Sequence, residues 1–128
     1  MTGGDIGRIS VVGPCASGKS TLVRALRMHG YDAHVTAQEH SGIRGLWRRQ
    51  QPDVLIALQV DLESVRLRRL EPRWRRDVWN AQQERLSDAF AHADLIADTS
   101  HRSAMVLVDE VLKFLEKRKI SGHRGTID

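Results

Sequence analysis

The chain has a single cysteine, so no intrachain disulfide can brace it, and that usage fits a reducing compartment. Aromatic residues make up only 5% of the sequence, which leaves the core to Val, Ile, Leu and Ala. No apolar run approaches the roughly 18 residues a membrane span requires. Residues Met1 to Asp5 carry neither the basic nor the apolar region of a secretion signal. The expectation is a cytoplasmic protein with no membrane partner. Acidic side chains are outnumbered: 16 Asp and Glu stand against 20 Lys and Arg, and the excess is almost all arginine. The guanidinium fork suits bidentate phosphate contacts, so polyphosphates and nucleic acids are both admissible partners. Solvated helix faces would account for many of the same arginines.

At 128 residues the chain has room for one domain, read as residues 1–118 with a loose polar tail at 119–128. Arg8 to Val12 is a β-branched run ending on Gly13, the form of a buried parallel strand. Helical spacing follows from Gly18 through Leu22, Val23 and Leu26, and stops at His29-Gly30. A second short strand is expected at Ala33 to Thr36. Ile43 to Arg49 reads as a short helix with Ile43, Leu46 and Trp47 on one side. The most apolar run, Val54 to Val60, reads as a central strand, with Asp61 as N-cap of a helix broken at Glu71-Pro72. A helix is expected from about Asp77 to Ala93 and a strand at Leu95-Ile96-Ala97. The last helix, from about Arg102 to Lys117, would bury Met105, Val108, Val111, Leu112 and Leu115. Strands alternating with helices predict a parallel sheet covered on both faces.

The residues Gly13-Pro14-Cys15-Ala16-Ser17-Gly18-Lys19-Ser20 match G-x-x-x-x-G-K-[ST], and Thr21 follows. Each part of that pattern has a physical use. Gly13 and Gly18 allow backbone angles and close approaches that a Cβ would block. The N–H groups between them can turn inward as an anion nest, and the new helix aims its positive end at the same place. Lys19 would reach the β- and γ-phosphates of a nucleoside triphosphate, and the Ser20 hydroxyl would ligate Mg²⁺. The context the pattern needs is present, an apolar strand before it and a helical pattern after it. GTP specificity would normally show an N-K-x-D segment, which the sequence lacks, so ATP is the expected nucleotide. Cys15 inside the loop is read as a small filler.

With the loop placed, the chain resembles the adenylate-kinase-like branch of P-loop kinases, the small nucleoside, nucleotide and metabolite kinases. Three segments carry the resemblance: Gly13 to Thr21, Pro52 to Asp61 running into Arg66, Arg68 and Arg69, and Ala93 to Ser100 followed by an amphipathic helix. It implies a three-layer α/β/α P-loop NTPase fold with a parallel sheet of about four to five strands. It also implies a lid over about 64–80, in which Arg66, Arg69, Arg73, Arg75 and Arg76 close over the transferred phosphoryl group. Thr99, Ser100, His101 and Arg102 would lie beside the base. Six arginines between 66 and 76 repel one another unless an anion joins them, which suits such a lid; a solvated basic face is the competing reading.

The departures from the family bear on the acceptor. Only about sixteen residues separate the second strand from Pro52, where the family inserts a substrate-binding segment and another strand. Near the loop stands instead Thr36-Ala37-Gln38-Glu39-His40-Ser41. Glu39 could act on Mg²⁺ through water or as a base, with Gln38 or His40 positioning a nucleophile; a polar surface loop would explain the same residues. Asp61 and the run Val106-Leu107-Val108-Asp109-Glu110 imitate metal-binding strand ends, but helix capping and a solvent-facing helix side account for them. The expected activity is phosphoryl transfer to an unidentified small-molecule acceptor, or ATP hydrolysis, with Lys19, Glu39, Arg69 and Arg73 as its catalytic residues. A slow nucleotide-binding switch is the alternative. Nucleic-acid binding through the arginines with Trp47, Trp74 and Trp79 is a third reading. The sequence does not specify an oligomeric state.

Overall fold

The computed structural model describes residues 7–127, with side chains described through 118. Four short strands form one parallel sheet: β1 (Arg8–Val12), β2 (Asp32–Val35), β3 (Val54–Gln59) and β4 (Leu95–Asp98). Their order is β2-β1-β3-β4. Composition explains the order. The apolar runs of β1 and β3 are buried at all but one position each and take the centre, while β2 and β4, which carry Asp and His, take the edges.

Side chains along β1 and β3 alternate between two cores. Ile9, Val11, Val54, Ile56 and Leu58 pack with Leu22, Val23 and Leu26 of α1 (Lys19–Met28) and with Leu107, Val111 and Leu115 of α4 (Ala104–Ile127). Val12, Leu55 and Ala57 face the other way, onto Trp47 and onto Leu86 and Ala89 of α3 (Arg76–His92). The sheet is therefore covered on both faces, as the strand–helix alternation predicts. On the α3 side the cover stops short of the β4 edge, where Ile96 remains 46% exposed. Among the described residues no helix is long and apolar enough to cross a membrane.

Some elements differ from the sequence reading. The segment expected to be helical over Ile43 to Arg49 is a single 3₁₀ turn, Leu46–Gln50; Trp47 is buried but Ile43 is exposed. The short spacing and the glycines at 42 and 45 leave no room for a full amphipathic helix. Met105 also lies outside the core. The buried stripe of α4 is Leu107, Val111 and Leu115, with Val108 and Leu112 partly buried, so the helix is rotated away from Met105. Helical backbone in α4 continues past Lys117 into the segment expected as a tail.

The helix α2 (Leu62–Arg69) is only two turns long, so its cap matters. The Asp61 carboxylate accepts a hydrogen bond from the Ser64 N–H at 2.7 Å. That bond, with the nearby His101 imidazole, holds the Asp61 carboxyl below its ordinary value of 3.8. A carboxyl lowered in the folded state stabilises fully above its ordinary value and loses that contribution as pH falls through the lowered one. Asp61→Ala should therefore cost about 1 kcal/mol at neutral pH. Urea midpoints for the variant and the parent should converge as the pH drops below 3.8; a constant gap would exclude the cap as the cause.

Candidate functional site

Because all four strands are parallel, their carboxyl ends share one edge of the sheet. The chain leaves β1 for β2 on one side, while β3 pairs on the other, and this reversal opens a crevice at the end of β1. The loop Gly13 to Gly18 fills that point. Ala16 and Gly18 adopt positive φ of 62° and 97°, turning the backbone so that Lys19 begins α1. Gly13 is held by space: a Cβ there would sit 2.6 Å from Ser17 Oγ and 3.1 Å from the Leu58 carbonyl oxygen of β3.

Distant elements secure the loop. Gln82 of α3 accepts from the Cys15 N–H at 3.0 Å and donates to Cys15 Sγ at 3.2 Å. Arg68 of α2 donates to the Ala16 carbonyl at 2.8 Å and also to Thr99, through both its hydroxyl and its carbonyl oxygen. The Thr99 hydroxyl in turn donates to the Ser17 carbonyl at 3.0 Å. The Ser17 hydroxyl is buried beneath the loop without a hydrogen-bond partner among the described residues.

Lys19 folds back across this loop. Its ammonium donates to the carbonyls of Gly13 (2.8 Å) and Pro14 (3.0 Å) and lies 2.7 Å from Glu39 Oε2. Both side chains are nearly buried, 11% exposed for Lys19 and 5% for Glu39. Glu39 belongs to a 3₁₀ turn, Gln38–His40, just past the end of β2, and its carbonyl accepts from Arg85 of α3 at 3.2 Å. Its Oε1 has no hydrogen-bond partner among the described residues. Glu39, expected near the loop, is the counter-charge of Lys19.

No protein-family model and no curated protein matches this chain.

The remaining expected site residues divide into two groups. Ala16, Ser17, Gly18, Thr21, Thr99 and Arg102 line one pocket of about 190 Å³, together with Arg68 and the first turns of α4, whose Leu107 and Val108 give it an apolar wall. Ser100 and His101 turn instead to the start of α2: the Ser100 hydroxyl accepts from the Asp61 N–H at 2.8 Å, and His101 lies 3.4 Å from the Asp61 carboxylate. Arg102 donates to the Asp98 carbonyl and pairs with Glu110. Asp61 caps a helix and Asp109 pairs with Lys113 on the solvent side of α4.

The arginine-rich segment is balanced largely within itself. Arg66 pairs with Glu63 at 3.0 Å and donates to the Trp74 carbonyl. Arg69 pairs with Glu71 and lies over the Trp74 ring, and Arg75 pairs with Asp77. Arg73 and Arg76 are exposed. The segment's contact with the loop is made by Arg68, which the sequence reading had not assigned a role. Its reach follows from the fold: Arg68 is four residues after the buried Ser64, on the helix line that faces the end of β4, and no sequence pattern marks that line. Gln38 also differs from its expected part in positioning a nucleophile. It is buried, donating to the Ile43 carbonyl and accepting from the Trp47 N–H, so it shapes the connection to β3.

Proposed function

We propose that this chain binds a nucleoside triphosphate, with ATP as the expected nucleotide, in a P-loop NTPase arrangement at the Gly13–Ser20 loop. The observation that carries the reading is Lys19 at the first turn of α1, folded onto two loop carbonyls and balanced by a buried carboxylate. An ammonium held by exchangeable partners at the positive end of a helix is poised to move onto phosphate oxygens. The backbone N–H groups of Gly13, Cys15, Ala16, Ser17 and Gly18 would cradle them, with Pro14, which has no N–H, shaping the loop, once Cys15 gives up its bond to Gln82 and Ser17 its bond to the Pro14 carbonyl. The apolar-walled pocket beside Thr21, Thr99 and Arg102 has the composition for a base.

The donors fit Mg²⁺, a hard cation that takes oxygen ligands and keeps waters. The Ser20 hydroxyl is exposed at the loop end and would hold the ion directly, while Glu39, with its unpartnered buried Oε1, would hold it through water. Bound there, the ion would neutralise phosphate charge. Lys19 would stabilise charge on the transferring group, and Glu39, relieved of Lys19, could accept a proton from an attacking oxygen. Arg66, Arg69, Arg73 and Arg76 would close over the phosphates by exchanging present partners such as Glu63 and Glu71 for phosphoryl oxygens.

A specific observation favours hydrolysis or a slow switch over transfer to a bulky acceptor. The connection between β2 and β3 is two 3₁₀ turns tied down by Gln38 and by Trp47, whose ring N–H donates to Asp88. A kinase needs a seat for its acceptor in that region. Nucleic-acid stacking gains no support from the tryptophans, since Trp79 donates to the Val60 carbonyl and Trp74 lies under Arg69.

The test is incubation of purified protein with γ-labelled ATP, with and without pools of nucleotides and metabolites. Label on a metabolite means transfer, free phosphate means hydrolysis, and retained ATP means a binding module. ATP binding or turnover that survives in Lys19→Ala would overturn the assignment.

A further inference from the structure

Beside the Lys19–Glu39 pair, three groups of a different chemistry converge. Cys15 Sγ lies 3.9 Å from His40 Nε2, and His40 Nε2 lies 3.6 Å from Glu39 Oε2. The sulfur, one imidazole nitrogen and one carboxylate oxygen all fall within 4.8 Å of one another. Sequence separation makes this a product of the fold, since Cys15 follows β1 while Glu39 and His40 follow β2. We propose that Cys15, Glu39 and His40 form a binding site for a zinc-like divalent ion, which holds the Gly13–Ser20 loop closed.

The donor set decides the class of ion. Thiolate and imidazole select zinc over magnesium or calcium, which take oxygen. A tetrahedral zinc, with bonds of about 2.0–2.3 Å, places its ligand atoms roughly 3.3–3.6 Å apart. The 3.9 and 3.6 Å separations reach that range with shifts of a few tenths of an ångström, and the sulfur-to-carboxylate separation, within 4.8 Å, closes as the exposed His40 side and the Glu39 carboxylate turn inward. Three protein ligands leave a fourth position for water. The carboxylate can turn its unpartnered Oε1 to the ion, while Lys19 keeps the carbonyls of Gly13 and Pro14. Cys15 is partly exposed and His40 is 59% exposed, so the ion has a way in. On binding, the thiol releases its proton to solvent and the imidazole uses an unprotonated nitrogen.

Such an ion would pin Cys15 at the middle of the loop and commit Glu39. Zinc and a triphosphate would therefore exclude each other. The metal site stands on its own residues; only this exclusion rests on the nucleotide reading.

The experiment is titration of metal-free, full-length protein with Co²⁺, followed by displacement with Zn²⁺. Because Cys15 is the chain's one cysteine, any thiolate-to-cobalt charge-transfer absorption reports that residue. The expected result is one equivalent per chain, with the band abolished in Cys15→Ser. Zinc affinity in His40→Ala should fall by more than the roughly 10–100-fold typical of losing an outer-shell partner. His40 is exposed, so that variant should keep its fold if Cys15→Ser does not. Absence of the band, half an equivalent per chain, or unchanged zinc affinity in His40→Ala would overturn the site. A second measurement, binding of a fluorescent ATP analogue to protein loaded with one zinc, should show weaker binding than to the metal-free chain. If neither form binds the analogue, the nucleotide reading fails while the cobalt band still decides the metal site.

Discussion

Lys19→Ala should destabilise the fold by about 3 kcal/mol in addition to abolishing triphosphate binding. The size follows from what is left behind. Glu39 is 5% exposed and would keep a buried carboxylate whose Oε2 has lost its ammonium and whose Oε1 already has no partner. Glu39→Gln should cost much less, about 1 kcal/mol, because Lys19 retains the Gly13 and Pro14 carbonyls and a neutral amide oxygen can still accept from it. In the Lys19→Ala, Glu39→Gln double variant the orphaned charge is gone, so most of the stability should return while nucleotide binding stays absent. Urea unfolding at constant slope measures the first quantity and a fluorescent nucleotide titration the second. If the double variant is no more stable than Lys19→Ala alone, the two side chains do not act as a pair.

The two loop glycines should fail to equal degrees of function but different degrees of stability. Gly13→Ala is expected to cost about 3 kcal/mol, at the upper end of overpacking effects. Its new methyl would meet Leu58 Cβ and the Leu58 carbonyl oxygen, each at 3.1 Å, as well as Ser17 Oγ at 2.6 Å. Ser17 can rotate, but Leu58 sits in β3, paired on both sides, and has nowhere to move. Gly18→Ala meets no atom within 4 Å, and its penalty comes only from φ of 97°. That backbone strain is worth about 1–2 kcal/mol. Thermal or urea unfolding of the two variants checks the order, and a Gly18→Ala at least as damaging as Gly13→Ala would refute the steric account.

The strands and their layering were legible in the sequence because apolar runs such as Val54 to Gln59 have one place to go in a parallel sheet. The loop was legible because its glycines, lysine and helix start lie within eight consecutive residues. Arg68 and Gln82 were not, since nothing in a helix pattern states which loop a polar side chain will reach across the fold; Thr99 was expected near the site, but not its bond to the Ser17 carbonyl. Arg66, Arg69 and Arg75 illustrate the converse. Their density suggested a shared anion, whereas nearby Glu63, Glu71 and Asp77 already neutralise them. Spacing alone predicts a buried Met105, and a rotation of α4 by part of a turn suffices to expose it.

The struts on the loop also bear on when it can form. Arg68, Gln82 and Thr99 hold Ala16, Cys15 and Ser17 across separations of 52, 67 and 82 residues. Closing such long chain segments costs entropy that is recovered only when the last contact is made. The motif near the start of the chain is thus complete in sequence long before it is complete in shape. During synthesis the Gly13–Ser20 loop should be among the last features to order, after the residues through Thr99 have left the ribosome and packed against it. A chain ending before β4 would carry every residue of the Gly13–Ser20 motif and lack the scaffold that holds it.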